Sequence, residues 1–198
     1  MKVALLDYGV GNLHSLVKAL EMGGADVSIE ADAGRALRAE ALVLPGVGAF
    51  GAAAERVGPA AESIRVALED GLPCLGICLG MQLLFESSEE GGGRGIGTFN
   101  GTVRRFTARR VPHMGWNQVE TSHDPLFEGS ENLTAYYAHS FMATPSASAD
   151  VIAWTEYEGT RFPAAVRRNR TWGVQFHPEK SDVAGVRIVH NFLREAGR

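Results

Sequence analysis

The sequence predicts an α/β fold: a mostly parallel sheet covered by helices on both faces, followed by a half rich in antiparallel or mixed strands. Three observations carry this. Short apolar runs at Lys2–Leu6, Val27–Ile29 and Ala41–Leu44 alternate with helical segments, and a β-α-β-α-β start implies parallel strands buried on both faces. A fourth apolar run, Cys74–Ile77, leads straight into another helical pattern. Beyond Gly97 strand-like runs follow one another until an amphipathic segment near the end of the chain.

The elements follow in order. After Lys2–Leu6 comes D-Y-G-V-G-N, then a helix over Leu13–Met22 with Leu13, Leu16, Val17 and Leu20 on one face. Asn12 suits its N-cap, and Gly23–Gly24 suits its end. The G-x-G at Gly9 and Gly11 lacks the third glycine of a dinucleotide fingerprint, since His14 stands there. It reads as an ordinary strand-to-helix turn, and no cofactor is expected. The third strand runs into P-G-V-G-A-F, Pro45–Phe50, where two glycines free backbone N–H groups to approach a ligand or a developing anion. Carboxyl ends of parallel strands are where such folds place their sites. A helix over Ala60–Glu69 returns the chain to Cys74–Ile77.

That strand ends in G-I-C-L-G and continues into a helix over Leu79–Phe85, with Leu79, Leu83 and Leu84 on one face. Strand, sharp turn and helix, with a nucleophile at the turn, is the elbow geometry in its cysteine form. Small neighbours, Gly76 and Gly80, suit a turn that brings two backbone segments together. The helix start would direct N–H groups and partial positive charge at the Cys78 sulfur. By itself the stretch fits a small packed core residue equally well. Cys74 and Cys78 make a poor zinc site, because no further ligand pair exists, and no metal is expected.

Ser87–Gly97 is polar and glycine-rich, a mobile surface loop by composition. Strands are expected over Gly101–Phe106, Gln118–Thr121, Thr134–His139, Val151–Tyr157, Ala164–Arg168 and Thr171–Phe176, and a closing helix over Val183–Arg194. The last strand runs into H-P-E-K-S. His177 and Glu179 at i and i+2 lie on the same side of an extended or turning segment, and Pro178 disfavours helix at His177. A base and its orienting carboxylate need this arrangement. A cysteine elbow and a histidine at strand ends of one sheet can converge.

Composition sets the boundaries. The 198 residues suggest one domain, 1–198. A hydrophobic fraction of 45% and a charged fraction of 21% are ordinary for a soluble globular chain. Net charge is −4 with a pI near 5.9, which leaves no electrostatic footprint for nucleic acid. Arginines cluster at Arg104–Arg105, Arg109–Arg110 and Arg167–Arg170, as solvated edges or as contacts for an acidic partner or phosphate. Two closely spaced cysteines argue against a disulfide-stapled secreted protein, and the opening apolar run is too short for a signal core or a membrane span. A cytoplasmic protein without membrane contact is expected.

Taken together, G-I-C-L-G-M-Q and Q-F-H-P-E-K resemble the class I glutamine amidotransferases over essentially the whole chain. The opening D-Y-G-V-G-N, P-G-V-G at Pro45–Gly48, P-H-M-G-W-N at Pro112–Asn117 and Lys180 after H-P-E are similar to the histidine-biosynthesis branch. Other branches more often carry His at the Met81 position and Ser at the Lys180 position. The resemblance implies a flavodoxin-like α/β/α sandwich and a triad of Cys78, His177 and Glu179. It implies L-glutamine as substrate, with oxyanion donors from Leu79 and the loop of Gly46, Val47 and Gly48. Gln82 and Glu90 would hold the amino-acid end, because a free α-amino group needs a carboxylate or amide acceptor, and His139, Ser140 and Phe141 would line the pocket. It further implies ammonia transfer to a (β/α)8-barrel cyclase in a heterodimer, with Asn12, Met114, Trp116, Asn117 and Lys180 as interface candidates. A glutaminase for another synthase, a thiol α/β-hydrolase and a non-catalytic module of the same fold stay open; in the hydrolase the acid lies well before the histidine.

Overall fold

The computed structural model describes residues 1–9 and 13–198. Among them the first half builds the parallel sheet. β1 (Lys2–Leu6) leads to α1 (His14–Met22), β2 (Asp26–Glu30), the short α2 (Ala33–Ala36) and β3 (Ala41–Leu44). Then come α3 (Phe50–Val57), α4 (Ala61–Glu69), β4 (Cys74–Ile77) and α5 (Leu79–Leu83). β1, β3 and β4 are almost wholly buried, as near-continuous apolar strands covered on both faces must be.

The second half adds strands. β5 (Phe85–Ser88), β6 (Phe99–Arg105), β7 (His113–Gln118) and β8 (Glu120–Thr121) precede β9 (Thr134–His139) and β10 (Phe141–Pro145). β11 (Val151–Tyr157), β12 (Thr160–Arg168), β13 (Thr171–Val174) and the closing α6 (Asp182–Ala196) follow. The main sheet runs β2-β1-β3-β4-β13-β12-β11-β8. Its pairs are parallel from β2 to β13 and antiparallel from β13 to β8. A three-stranded sheet β10-β6-β5 and a β7-β9 ribbon stand beside it.

Two apolar layers sandwich the main sheet. On one face α1 and α6 bring Leu16, Leu20, Ile188, Val189 and Phe192 onto β1, β3 and β13. On the other, α3, α4 and α5 bring Phe50, Ala53, Val57, Ile64, Leu68 and Leu83. The expected three-layer α/β/α architecture is what forms. No helix of the described residues is long and apolar enough to cross a membrane.

Several expected boundaries move. α1 starts at His14 rather than Leu13, and the proposed N-cap Asn12 lies outside the described residues with Val10 and Gly11. α5 stops at Leu83 because Phe85 opens β5 and pairs with Phe99. Thr171–Phe176 shortens to end at Val174, and Ala164–Arg168 lengthens back to Thr160 in a hairpin with β11. Gln118–Thr121 splits: Gln118 closes the β7-β9 ribbon, whereas Glu120 and Thr121 pair with β11. Ser87 and Ser88 belong to β5, and the segment expected to be mobile is tied back by Gly95 N–H to Glu86 O and Ile96 N–H to Leu83 O.

α3, β5, β7 and β10 have no counterpart among the expected elements. β7 is instructive. Its apolar Met114 and Trp116 are 63% and 55% exposed, while the polar His113 is buried, so its pattern is inverted relative to a core strand.

The site follows from sheet order. β4 lies between β3 and β13, with Gly76 opposite both Leu44 and Gly173. Parallel neighbours release their carboxyl ends at one edge. The Pro45–Ala49 loop, Cys78 and the segment leading to His177 therefore emerge side by side.

Candidate active site

Cys78 caps α5 at φ 50°, a left-handed conformation that non-glycine residues seldom adopt. Its N–H donates to Val174 O at 2.7 Å, which pins the turn to β13. Glycines on either side are sterically required. A Cβ on Gly80 would stand 1.9 Å from Leu44 O, and one on Gly76 would stand 2.8 Å from the Gly80 carbonyl. Both cysteines are free. Cys74 points into the core, where burial pushes its thiol up. Cys78 borders a cavity.

His177 follows β13 in extended conformation, as the proline after it requires. Its Nδ1 lies 2.9 Å from Glu179 Oε1, and none of the described residues is hydrogen-bonded to its Nε2. Burial works to lower the ring's proton affinity, but Cys78 and Glu179 outweigh it and raise the pKa to about 10. The imidazole is thus held by the carboxylate through Nδ1, while Nε2 is left without a hydrogen-bond partner among the described residues and the Cys78 thiol is near enough to favour its charged form. Sequence reasoning passed over Ser181, which braces this turn: its hydroxyl donates to His177 O at 2.6 Å and accepts from Tyr136 N–H at 2.9 Å.

Beside Cys78 is a cavity of about 200 Å³. That is below the roughly 300–1,000 Å³ of sites for drug-sized ligands and suits a single amino acid. Val47, Gly48, Leu79, Gln82 and Glu90 line one side; Met114, His139, Ser140 and Phe141 line the other. Of the expected pocket residues Gly46 alone does not line it. Gly46 is packed beneath, and a Cβ there would stand 2.5 Å from that of Leu79. A larger cavity of about 470 Å³ lies near Asp7, Asp32 and Arg56, but Cys78 is not part of it, whereas Cys78 lines the smaller one.

The remaining side chains are held by their neighbours. Glu90 accepts Phe50 N–H at 2.9 Å, so its carboxylate caps α3 at the cavity rim. Tyr8, another residue that sequence reasoning did not select, donates its hydroxyl to Pro45 O and so fixes the start of the Pro45–Ala49 loop. Gln82 Nε2 donates to Phe141 O at 3.0 Å and to Gln175 Oε1 at 3.2 Å. Gln175 was likewise missed, and its signal is its place two residues before His177. His139 donates through Nδ1 to Phe141 O at 2.8 Å, and its Nε2 lies 3.1 Å from His113 Nδ1. Burial lowers these two rings to about 3 for His139 and about 4 for His113, so both stay neutral.

The interface candidates divide. Met114, Trp116 and Lys180 are exposed, and Trp116 leans edge-on against Tyr136. Asn117 spends its amide on Glu156 O and its own neighbour's N–H. Asn12 lies outside the described residues.

Known proteins resemble this chain along nearly its whole length. The family model described as "Glutamine amidotransferase class-I" matches residues 4–196. "Imidazole glycerol phosphate synthase subunit HisH" of Halobacterium salinarum is 45% identical over 96% of this chain and 92% of its own length. The protein of the same description from Thermococcus kodakarensis is 47% identical over 97% of this chain and 99% of its own. A solved structure described as "Crystal structure of glutamine amidotransferase" superposes with a TM-score of 0.78 at 20% identity, covering 99% of each chain.

Proposed function

The chain belongs to the class I glutamine amidotransferases and, within them, to the HisH subunits of imidazole glycerol phosphate synthase; from that premise we propose that Cys78, His177 and Glu179 hydrolyse L-glutamine to glutamate and ammonia. The observation that carries the assignment is Cys78 in its strained turn at the carboxyl edge of the sheet, beside the strand end that delivers His177 with Glu179 on its Nδ1 and its Nε2 left without a partner among the described residues.

The thiol proton passes to His177 Nε2, and the thiolate attacks the side-chain amide carbon of glutamine. The tetrahedral oxyanion accepts from Leu79 N–H and from the loop at Val47 and Gly48, which line the cavity. Removing one such donor typically costs about 10²–10³ in rate. His177 protonates the leaving nitrogen, ammonia departs, and a glutamyl thioester remains. The now neutral imidazole takes a proton from water, whose hydroxyl attacks the thioester and releases glutamate and the Cys78 thiolate. Glu179 holds the ring and balances the imidazolium. Gln82 and Glu90 face the amino-acid end of the substrate, with Ser140 and Phe141 opposite.

Residues 1–198 act as one cytoplasmic domain, and the ammonia goes to a (β/α)8-barrel cyclase held in a heterodimer. Met114, which lines the cavity, and Trp116, two residues on along β7, are both exposed and support a docking face there, as aromatics and Met are enriched at interface centres. Lys180, Asn12 and Asn117 complete the proposed contact. Glutamine hydrolysis by wild type and Cys78→Ala, each with and without the cyclase, tests the assignment. Loss of activity in the variant and stimulation of the wild type by the barrel are expected. Undiminished hydrolysis by Cys78→Ala would sink the mechanism, and equal stimulation by an unrelated synthase subunit would sink the partner.

A further inference from the structure

A backbone carbonyl can only accept hydrogen bonds, and Phe141 O uses that to set the direction of two buried amides. Gln82 must turn its nitrogen toward Phe141 O, 3.0 Å away. The same nitrogen meets Gln175 at 3.2 Å, so Gln175 must present its oxygen there. That choice leaves Gln175 Nε2 facing the other way, 3.6 Å from Cys78 Sγ and within N–H···S range. Neither amide can flip without placing nitrogen against nitrogen or oxygen against oxygen. Gln175 is 0% exposed, so bulk water does not compete for its amide.

A thiol sulfur is a weak acceptor, whereas a bond to an ionised acceptor is roughly twice as strong as a neutral one. The contact therefore strengthens as the thiol proton moves to His177 and weakens again when the sulfur becomes a thioester. An interaction that grows with the charge of one intermediate state is catalytic rather than merely structural.

We infer that Gln175 is a further catalytic residue, whose side-chain amide is a standing hydrogen-bond donor to the Cys78 sulfur, oriented by Gln82 and the Phe141 carbonyl. The inference rests on the assignment of Cys78 as nucleophile. In the acylation step the donor raises the share of enzyme with an ionised sulfur opposite His177. In deacylation it stabilises the sulfur as it leaves the thioester.

Two variants test it in the full chain. Gln175→Glu keeps the shape but sets an oxygen against the sulfur, and Gln175→Met fills the space without a donor. Iodoacetamide is the probe, with modification at Cys78 read by mass spectrometry across pH. Alkylation near neutral pH is expected to fall about tenfold, its profile to move to higher pH, and glutamine turnover to fall by tenfold or more. Folded variants with a wild-type profile and turnover would overturn the inference.

A measurement on unmutated Gln175 guards against misfolding. Its side-chain amide ¹⁵N–H resonance is expected to shift along the alkylation profile in wild type and to stay still in Cys78→Ser. A resonance that is flat in both overturns the inference. If Cys78→Ala keeps hydrolysing glutamine, the nucleophile assignment itself has failed. If Cys78→Ala is dead while the Gln175 variants match wild type, only the role of Gln175 has.

Discussion

Gly80→Ala sets two effects of opposite sign against each other. Gly80 lies in α5, where Ala is the better helix former by about 1 kcal/mol, so propensity alone predicts a gain. Packing predicts the reverse. The new Cβ would stand 1.9 Å from Leu44 O, 2.6 Å from Leu44 C and 3.0 Å from Leu44 Cβ, whereas ordinary contact begins at 3.4 Å. α5 or β3 must therefore retreat by about 1.5 Å, the difference between the two distances. β3 is held between β1 and β4 and has little room to give. Overpacking of this kind costs about 1–3 kcal/mol, and a backbone collision in a buried sheet puts it near about 3. In a protein this long that lowers Tm by roughly 6–12 °C. Retreat of α5 also carries Cys78 away from His177, and a misplacement of about 1 Å can cost about 10²-fold in rate. Thermal melting and glutamine hydrolysis are the assays. Gly197→Ala is the control, since a Cβ there would meet Leu193 O at an ordinary 3.5 Å. A Gly80→Ala protein that melts within about 2 °C of wild type and keeps its turnover would refute the argument.

Four further outcomes follow from the same geometry. His113 and His139 stay neutral when folded but protonate near 6.5 when unfolded, so the unfolded chain binds more protons below that pH. Stability should fall as pH drops from 6.5 through about 4 for His113 and about 3 for His139, as read from urea midpoints at each pH. His177 works in the opposite window: its raised pKa supplies stability that is complete below 6.5 and lost as pH rises through about 10, so Cys78→Ala should flatten stability across that alkaline range. Glu179→Gln keeps the 2.9 Å contact but removes the charge, and turnover should drop by about 10²-fold with the pH profile of cysteine alkylation altered; an unchanged profile would remove Glu179 from the triad. Trp116→Ala should weaken cyclase binding by about tenfold or more in titration calorimetry and leave basal hydrolysis alone, because its side chain lies outside the cavity wall.

Local order made much of the site legible. The elbow is written in five consecutive residues, and the base and its carboxylate in three, because a turn and an i, i+2 pair are encoded by neighbours along the chain. β1, β3 and β4 were readable from continuous apolar runs, which only a doubly covered strand produces. β7 was not, since Met114 and Trp116 face outward and reverse the pattern on which strand detection depends. β10 and β5 escaped for a related reason: both are only partly buried and show no regular alternation. The alanine-rich α3 was hidden by the glycine loop before it.

The sequence by itself determined the α/β class and set the proposed nucleophile, base and carboxylate in two short motifs, because periodicity and short motifs are properties of adjacent residues. Tertiary structure alone decided that β3, β4 and β13 lie side by side and so bring the loop, the cysteine and the histidine to one edge. It alone revealed the Gln82–Gln175–Cys78 chain, whose partners are 93 and 97 residues apart. Hydrogen bonds across such separations leave no trace in local pattern; they exist only once the sheet order brings the strands together.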